Sequence, residues 1–172
     1  MEILDALFKG FWCALAAVGF GVLFNAPRKS VWMILLVGFL GGMTKFGLML
    51  PAVGARIVFA TFLAGLVIGF SGVFLGNWKK IIPMMITIPS VIPLVPGVFF
   101  YRAILGLISL AQEPEENYTQ LVNQTIYNGT MTVFVLLAIT LGVVIPLILF
   151  KLENVKSPLP AKDGLRSGKN TF

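Results

Sequence analysis

Long apolar runs alternate with short polar interruptions along this chain. Apolar residues fill roughly Leu4 to Phe24, and Asn25, Ala26, Pro27, Arg28, Lys29 and Ser30 interrupt them. A second run extends from Val31 to about Leu50, with Lys45 near its far end, and Pro51 and Gly54 break it. A third covers about Ala55 to Gly76 and meets Asn77, Trp78, Lys79 and Lys80. A fourth occupies Ile81 to Leu110. A fifth covers about Leu121 to Phe150, with Gly142 and Pro146 late in it. A helix that crosses a bilayer needs about 20 mostly apolar residues. All five runs meet that length, so the pattern predicts an all-α integral membrane protein with about five transmembrane helices. The opening of the fifth run, through Asn128 and Gly129, is polar enough to stand clear of lipid.

The fourth run does not read as one continuous helix. Its stretch Ile81 to Arg102 carries Pro83, Pro89, Pro93, Pro96 and Gly97. An interior proline removes a backbone donor and crowds the carbonyl four residues earlier. The carbonyls exposed here are those of Met85, Pro89 and Ile92. In hydrocarbon such groups are tolerated only where protein or a wet cavity covers them. A straight helix over the whole run would also reach about 45 Å, against a hydrocarbon core of about 30 Å. The run is therefore predicted to be a discontinuous helix, broken within Pro89 to Gly97 and buried by its neighbours. A proline-kinked packing helix with no ligand fits the same pattern.

Composition agrees with the membrane reading. The chain has 172 residues, 58% of them hydrophobic and 12% charged, and its mean hydropathy is +0.94. A soluble domain cannot keep that much apolar surface dry. The net charge of +6 does not indicate nucleic acid, because the basic residues sit at the ends of apolar runs as juxtamembrane anchors do. One cysteine, Cys13, and no histidine exclude a disulfide framework, a zinc site or His-based acid–base chemistry from this chain alone. No cofactor is expected, and no residue resembles a nucleophile with its base, so the chain does not read as an enzyme. Cys13 lies in an apolar run and reads as a small packing residue. The first charges, Glu2 and Asp5, are acidic where a signal peptide would be basic, so the first run is expected to be a retained span.

Residues 1–150 are expected to form the membrane domain. The tail at 151–172, rich in Lys, Pro, Gly and Ser, is expected to be a disordered cytoplasmic segment. With the N-terminus outside, Arg28, Lys29, Lys79, Lys80, Lys151, Lys156, Lys162, Arg166 and Lys169 are cytoplasmic. Lys9, Lys45, Arg56 and Arg102 fall outside or within spans, and this imbalance predicts an N-out, C-in orientation. The acidic loop Gln112 to Asn117 is then external. The Asn-x-Thr triplets at Asn117, Asn123 and Asn128 are assigned no role.

Small residues make stripes. Gly65, Gly69, Gly72 and Gly76 share one helical face with Thr61, as do Gly10, Ala14, Ala17 and Gly21, and Gly38 with Gly41. Such stripes let helix backbones approach closely, although glycine is also simply common in membrane helices. Lys45 continues the face of Gly38 and Gly41, which points it toward packed protein; snorkelling to the headgroups is the alternative. Arg56 lies across its helix from the glycines and reads as a headgroup anchor. Arg102 is either an anchor or a substrate-binding charge, and its closeness to the break favours the second. None of the seven acidic residues lies between Leu7 and Ala111. A proton relay, which usually runs through an intramembrane Asp, Glu or His, would have to come mainly from another subunit.

Pro96 suits the first turn of a helix. A half-helix beginning at Val95 or Pro96 leaves the N–H groups of Gly97, Val98 and Phe99 pointing into the break, with the positive end of the dipole behind them. Discontinuous helices of transporters bind anionic groups in this way. The candidate substrate-binding set is therefore Lys45, Thr87, Ser90, Pro93, Pro96, Gly97, Val98 and Arg102, with the Thr87 and Ser90 hydroxyls placed for an ammonium group or a water. Gly65, Gly69, Gly72 and Gly76 are the candidate packing set.

Four stretches carry a family resemblance: F-N-A-P-R at Phe24–Arg28, G-G-M-T-K at Gly41–Lys45, A-T-F-L-A at Ala60–Ala64 with Gly69 beyond, and I-P-L-V-P-G at Ile92–Gly97 with Tyr101 after it. Over roughly Ala14 to Leu110 the chain resembles the threonine/serine exporter family, specifically the small subunit of its split form, also associated with export of dicarboxylates such as succinate. Fused members carry two membrane halves preceded by a soluble segment, and this chain is similar to the C-terminal half. The resemblance implies proton-driven export of small amino or carboxylic acids across a bacterial inner membrane. It also implies a larger partner subunit of the same family; a homo-oligomer is the other assembly expected. A non-transporting scaffold subunit is the alternative function, and it should fill the break with apolar side chains.

Overall fold

The computed structural model describes residues 2–51, 53–112 and 118–156. Six α-helices follow in order: α1 (Glu2–Leu23), α2 (Arg28–Leu48), α3 (Ile57–Lys79), α4 (Met84–Val91), α5 (Gly97–Gln112) and α6 (Tyr118–Lys156). A 3₁₀ turn at Ile92–Leu94 joins α4 to α5. No strand occurs among the described residues. α1, α2, α3 and α6 are each long and apolar enough to cross a bilayer, and α4 with α5, bent by 56°, passes the same test as a pair. The chain is thus an all-α, multi-pass membrane protein, as its apolar pattern predicts.

The helices end where the sequence changes character. Asn25 adopts left-handed backbone (φ 54°), and Ala26 N–H returns to the Gly21 carbonyl at 2.9 Å, closing α1. Pro27 then starts α2 from extended backbone. Lys80 (φ 55°) closes α3 in the same manner, with Ile81 N–H donating to the Gly76 carbonyl at 2.9 Å.

Small residues set the packing. α1 and α2 run antiparallel, with Gly10 against Met43, Cys13 against Gly42, Ala17 against Gly38 and Gly21 against Ile34. Gly41 receives Ile68 of α3. The α3 stripe is shared between two neighbours in this same chain. Gly65 and Gly69 meet α6 at Ile139, Gly142, Val143 and Pro146, whereas Gly72 and Gly76 meet Thr87 and Pro83 at the start of α4. A methyl group added at Gly142 would stand 2.6 Å from the Phe62 carbonyl, and one at Gly69 would stand 2.9 Å from the Val143 carbonyl. The two backbones touch, as small residues allow in membrane helix pairs. Ile34 and Val37 of α2, Ile68 of α3, Ile86 of α4, Leu94 of the turn and Val135 of α6 are fully buried and form one core cluster.

Because Gly65 lies level with Ile139 and Gly69 with Val143, α3 and α6 are parallel. α1 is parallel to both, since α2 is antiparallel to its neighbours on either side. The start of α3 at Ile57 is therefore level with about residue 131, and α6 overhangs it by about 20 Å. α5 returns antiparallel along this overhang, with Gly106 against Thr125. At the other end, α6 continues to Lys156, past the domain boundary drawn at 150. Residues 157–172 of the expected disordered tail, and the acidic loop at 113–117, lie outside the described residues.

Candidate functional site

The break falls inside the expected window, and one proline accounts for it. Pro89 sits within α4, and Pro93 within the 3₁₀ turn, where Ile92 before it keeps helical backbone (φ −57°, ψ −41°). Only Val95, which precedes Pro96, swings to extended backbone (φ −59°, ψ 136°). Clash with the following proline ring disfavours the helical conformation at that position. Two expectations are corrected here. The Ile92 carbonyl is not free, because it accepts from Val95 N–H at 3.1 Å. Nor is the Gly97 N–H, which donates to the Val95 carbonyl at 2.9 Å. The first-turn donors of α5 without a backbone acceptor among the described residues are those of Val98 and Phe99; Phe100 N–H already bonds Pro96 at 3.1 Å.

The bend creates a different loose acceptor. In a continuous helix the Leu94 carbonyl would take the Val98 N–H. Here Lys45 of α2 replaces it, with Nζ donating to Leu94 O at 2.8 Å. Lys45 is only 7% exposed, so it turns into the bundle instead of snorkelling. Its Nζ lies 5.9 Å from the Phe46 ring centroid, and Lys9 Nζ lies 5.8 Å from the same ring. Lys9 is satisfied by Asp5 at 2.7 Å, but no described carboxylate bonds Lys45. An ammonium has three donors, and the Leu94 carbonyl takes one. An unpaired buried charge costs several kcal/mol, and among the described residues Lys45 meets that cost with this carbonyl and the Phe46 ring.

The remaining predicted residues divide between inside and outside. Thr87 is buried against Gly72, and its hydroxyl donates back to the Pro83 carbonyl at 3.3 Å. Ser90 is buried too, donating its one proton to Ile86 O at 2.7 Å, with Ile34 O of α2 as the weaker, shared acceptor at 3.3 Å. Both hydroxyls are therefore engaged by protein backbone, away from any open surface. Pro96 is buried and Pro93 half-buried. Gly97 stands at an open surface, with no atom within 4 Å of where a Cβ would be, and Val98 is 62% exposed. No described side chain covers Gly97 on that side.

Arg102 is not gathered with Lys45. It lines a groove between α5 and the α6 overhang, with Phe99, Thr119, Gln120, Asn123, Gln124, Tyr127 and Asn128. Sequence reasoning assigned these α6 residues no role. Their signal was a run of amides at helical spacing in the polar start of the fifth run.

The family model described as "Threonine/Serine exporter, ThrE" matches residues 9–149. The chain belongs to the threonine/serine exporter family. The broken helix, Lys45 and the α5–α6 groove all lie within the stretch matched to this exporter family. A Haemophilus influenzae protein described as uncharacterized is 36% identical over 149 residues, covering 86% of this chain and 48% of that relative. The chain thus spans about half the length of this curated relative of the exporter-family chain. No solved structure matches.

Proposed function

We propose that this chain is the membrane subunit of a secondary exporter for small amino acids of the threonine/serine kind or small carboxylates of the succinate kind. Its membrane is the bacterial inner membrane, with the N-terminus outside and the C-terminus in the cytoplasm. It works with a larger subunit of the same family, or with a second copy; it spans about half of the Haemophilus influenzae relative. It is a transporter subunit and not an enzyme.

One observation carries the site: a buried lysine with donors to spare stands at a bend whose far side is open. The solute carboxylate approaches Gly97, where no side chain obstructs the backbone. It accepts from Val98 and Phe99 N–H at the positive end of α5. The Lys45 ammonium supplies the counter-charge.

Gly97→Leu is a clean test, since the added side chain meets open space. In membrane vesicles from cells producing the full chain, the variant is expected to insert at wild-type levels and to lose export of radiolabelled L-threonine and succinate. Wild-type export by Gly97→Leu would falsify the carboxylate site and favour the scaffold reading.

A further inference from the structure

We infer that the α5–α6 groove is a second solute site. It is the vestibule between the break and the end of the bundle where α1, α3 and α6 begin, and it takes a small carboxylate that carries a second polar group. This rests on the exporter reading. The groove is open on one side and offers about 930 Å³, within the range of about 300–1,000 Å³ typical of small-molecule sites. Phe99 borders it, and Phe99 N–H is one of the two unpartnered donors at the start of α5. The groove therefore begins at the break.

Its lining differs from the rest of the helical surface. Gln120, Gln124 and Asn128 follow one another four residues apart on α6, and Asn123 lies beside them. Amide groups facing hydrocarbon are costly; this polar start of α6 stands clear of lipid, where water hydrates the groove. Asn128 donates to the Gln124 carbonyl at 2.8 Å; its side-chain oxygen and the other three amides have no described protein partner and remain available to a guest. Across the groove stands Arg102, and no described acidic side chain bonds it. A guanidinium takes a carboxylate through two parallel hydrogen bonds. Amide oxygens accept from an ammonium or a hydroxyl. A hydroxy amino acid satisfies both walls, and a dicarboxylate satisfies Arg102 with one end and amide N–H groups with the other.

The test uses the full chain in membrane vesicles with Cys13→Ala as background, L-threonine and succinate as probes, and each variant normalised to membrane protein. Gln124→Cys is expected to react with a membrane-impermeant cationic thiol reagent from the face carrying the N-terminus. The reaction should stop export and be slowed by at least one probe. Arg102→Gln should raise the export KM about tenfold at near-normal kcat, the size of one charge-assisted hydrogen bond, and Arg102→Lys should recover part of it. Labelling that neither probe slows, or an unchanged KM in Arg102→Gln, overturns the vestibule. An inactive Gly97→Leu beside a normal Arg102→Gln shows that the groove alone fails and that the exporter reading stands. The same labelling rate with and without probes in vesicles that export neither solute overturns both.

Discussion

Lys45 ties α2 to the 3₁₀ turn just before the bend through one hydrogen bond, so its replacement separates stability from transport. Lys45→Met strands the Leu94 carbonyl, a loss of about 1–3 kcal/mol. It also removes a buried ammonium whose desolvation costs several kcal/mol. These terms oppose each other, and the variant is expected to fold and insert with little change in thermal stability. Export should fall by about tenfold or more, measured in the same vesicles, because the counter-charge for the carboxylate is gone. The burial of Lys45 was legible in the sequence, from its alignment with Gly38 and Gly41. Its acceptor was not, because the bond joins residues 49 positions apart and is set by how α2 meets the 3₁₀ turn. The backbone acceptors of Thr87 and Ser90 were hidden for a related reason. A hydroxyl in a helix can always bond back to its own preceding turn, and sequence does not reveal which choice is made.

At the scale of elements, the glycine contacts between α3 and α6 leave no room for substitution. Gly142→Leu would drive a side chain into the Phe62 carbonyl and the Gly65 backbone. Overpacking of this kind costs about 1–3 kcal/mol or more, and a lowered unfolding temperature in detergent is the expected result. Gly129→Leu, on the same helix with nothing within 4 Å, serves as the control and is expected to keep or raise stability, by up to about 1 kcal/mol, because glycine is a poor helix former. The stripe itself could be read from residue spacing, but its division between α6 and α4 could not, since both partners offer complementary surfaces. The proline-rich stretch shows the same limit. Each proline forbids a donor, yet Pro89 and Pro93 are accommodated and only Pro96 redirects the chain. Which proline bends a helix depends on where neighbouring helices hold it straight.

For the whole molecule, the count of apolar runs fixed the architecture in advance, because bilayer thickness sets helix length directly. The groove was hidden, since it brings residues 99–102 beside residues 119–128 across a loop whose course no pattern specifies. With the proposed orientation, a cysteine at Ser167 is expected to react with an impermeant reagent only from the cytoplasmic face; labelling of intact cells from outside would reverse the assignment. The overhang of α6 has a mechanical consequence. This helix is 39 residues long and is clasped by α3 around Gly142. Tyr118 lies about 36 Å from that contact and Phe150 about 12 Å on its other side. If α6 tilts by about 10° as a rigid rod, the groove end sweeps about 6 Å while the Phe150 end shifts about 2 Å. In such a tilt the glycine contact would serve as a fulcrum and α6, with α5 carried along on Thr125, as a lever with unequal arms, so that a small displacement at one membrane face becomes a threefold larger one at the other.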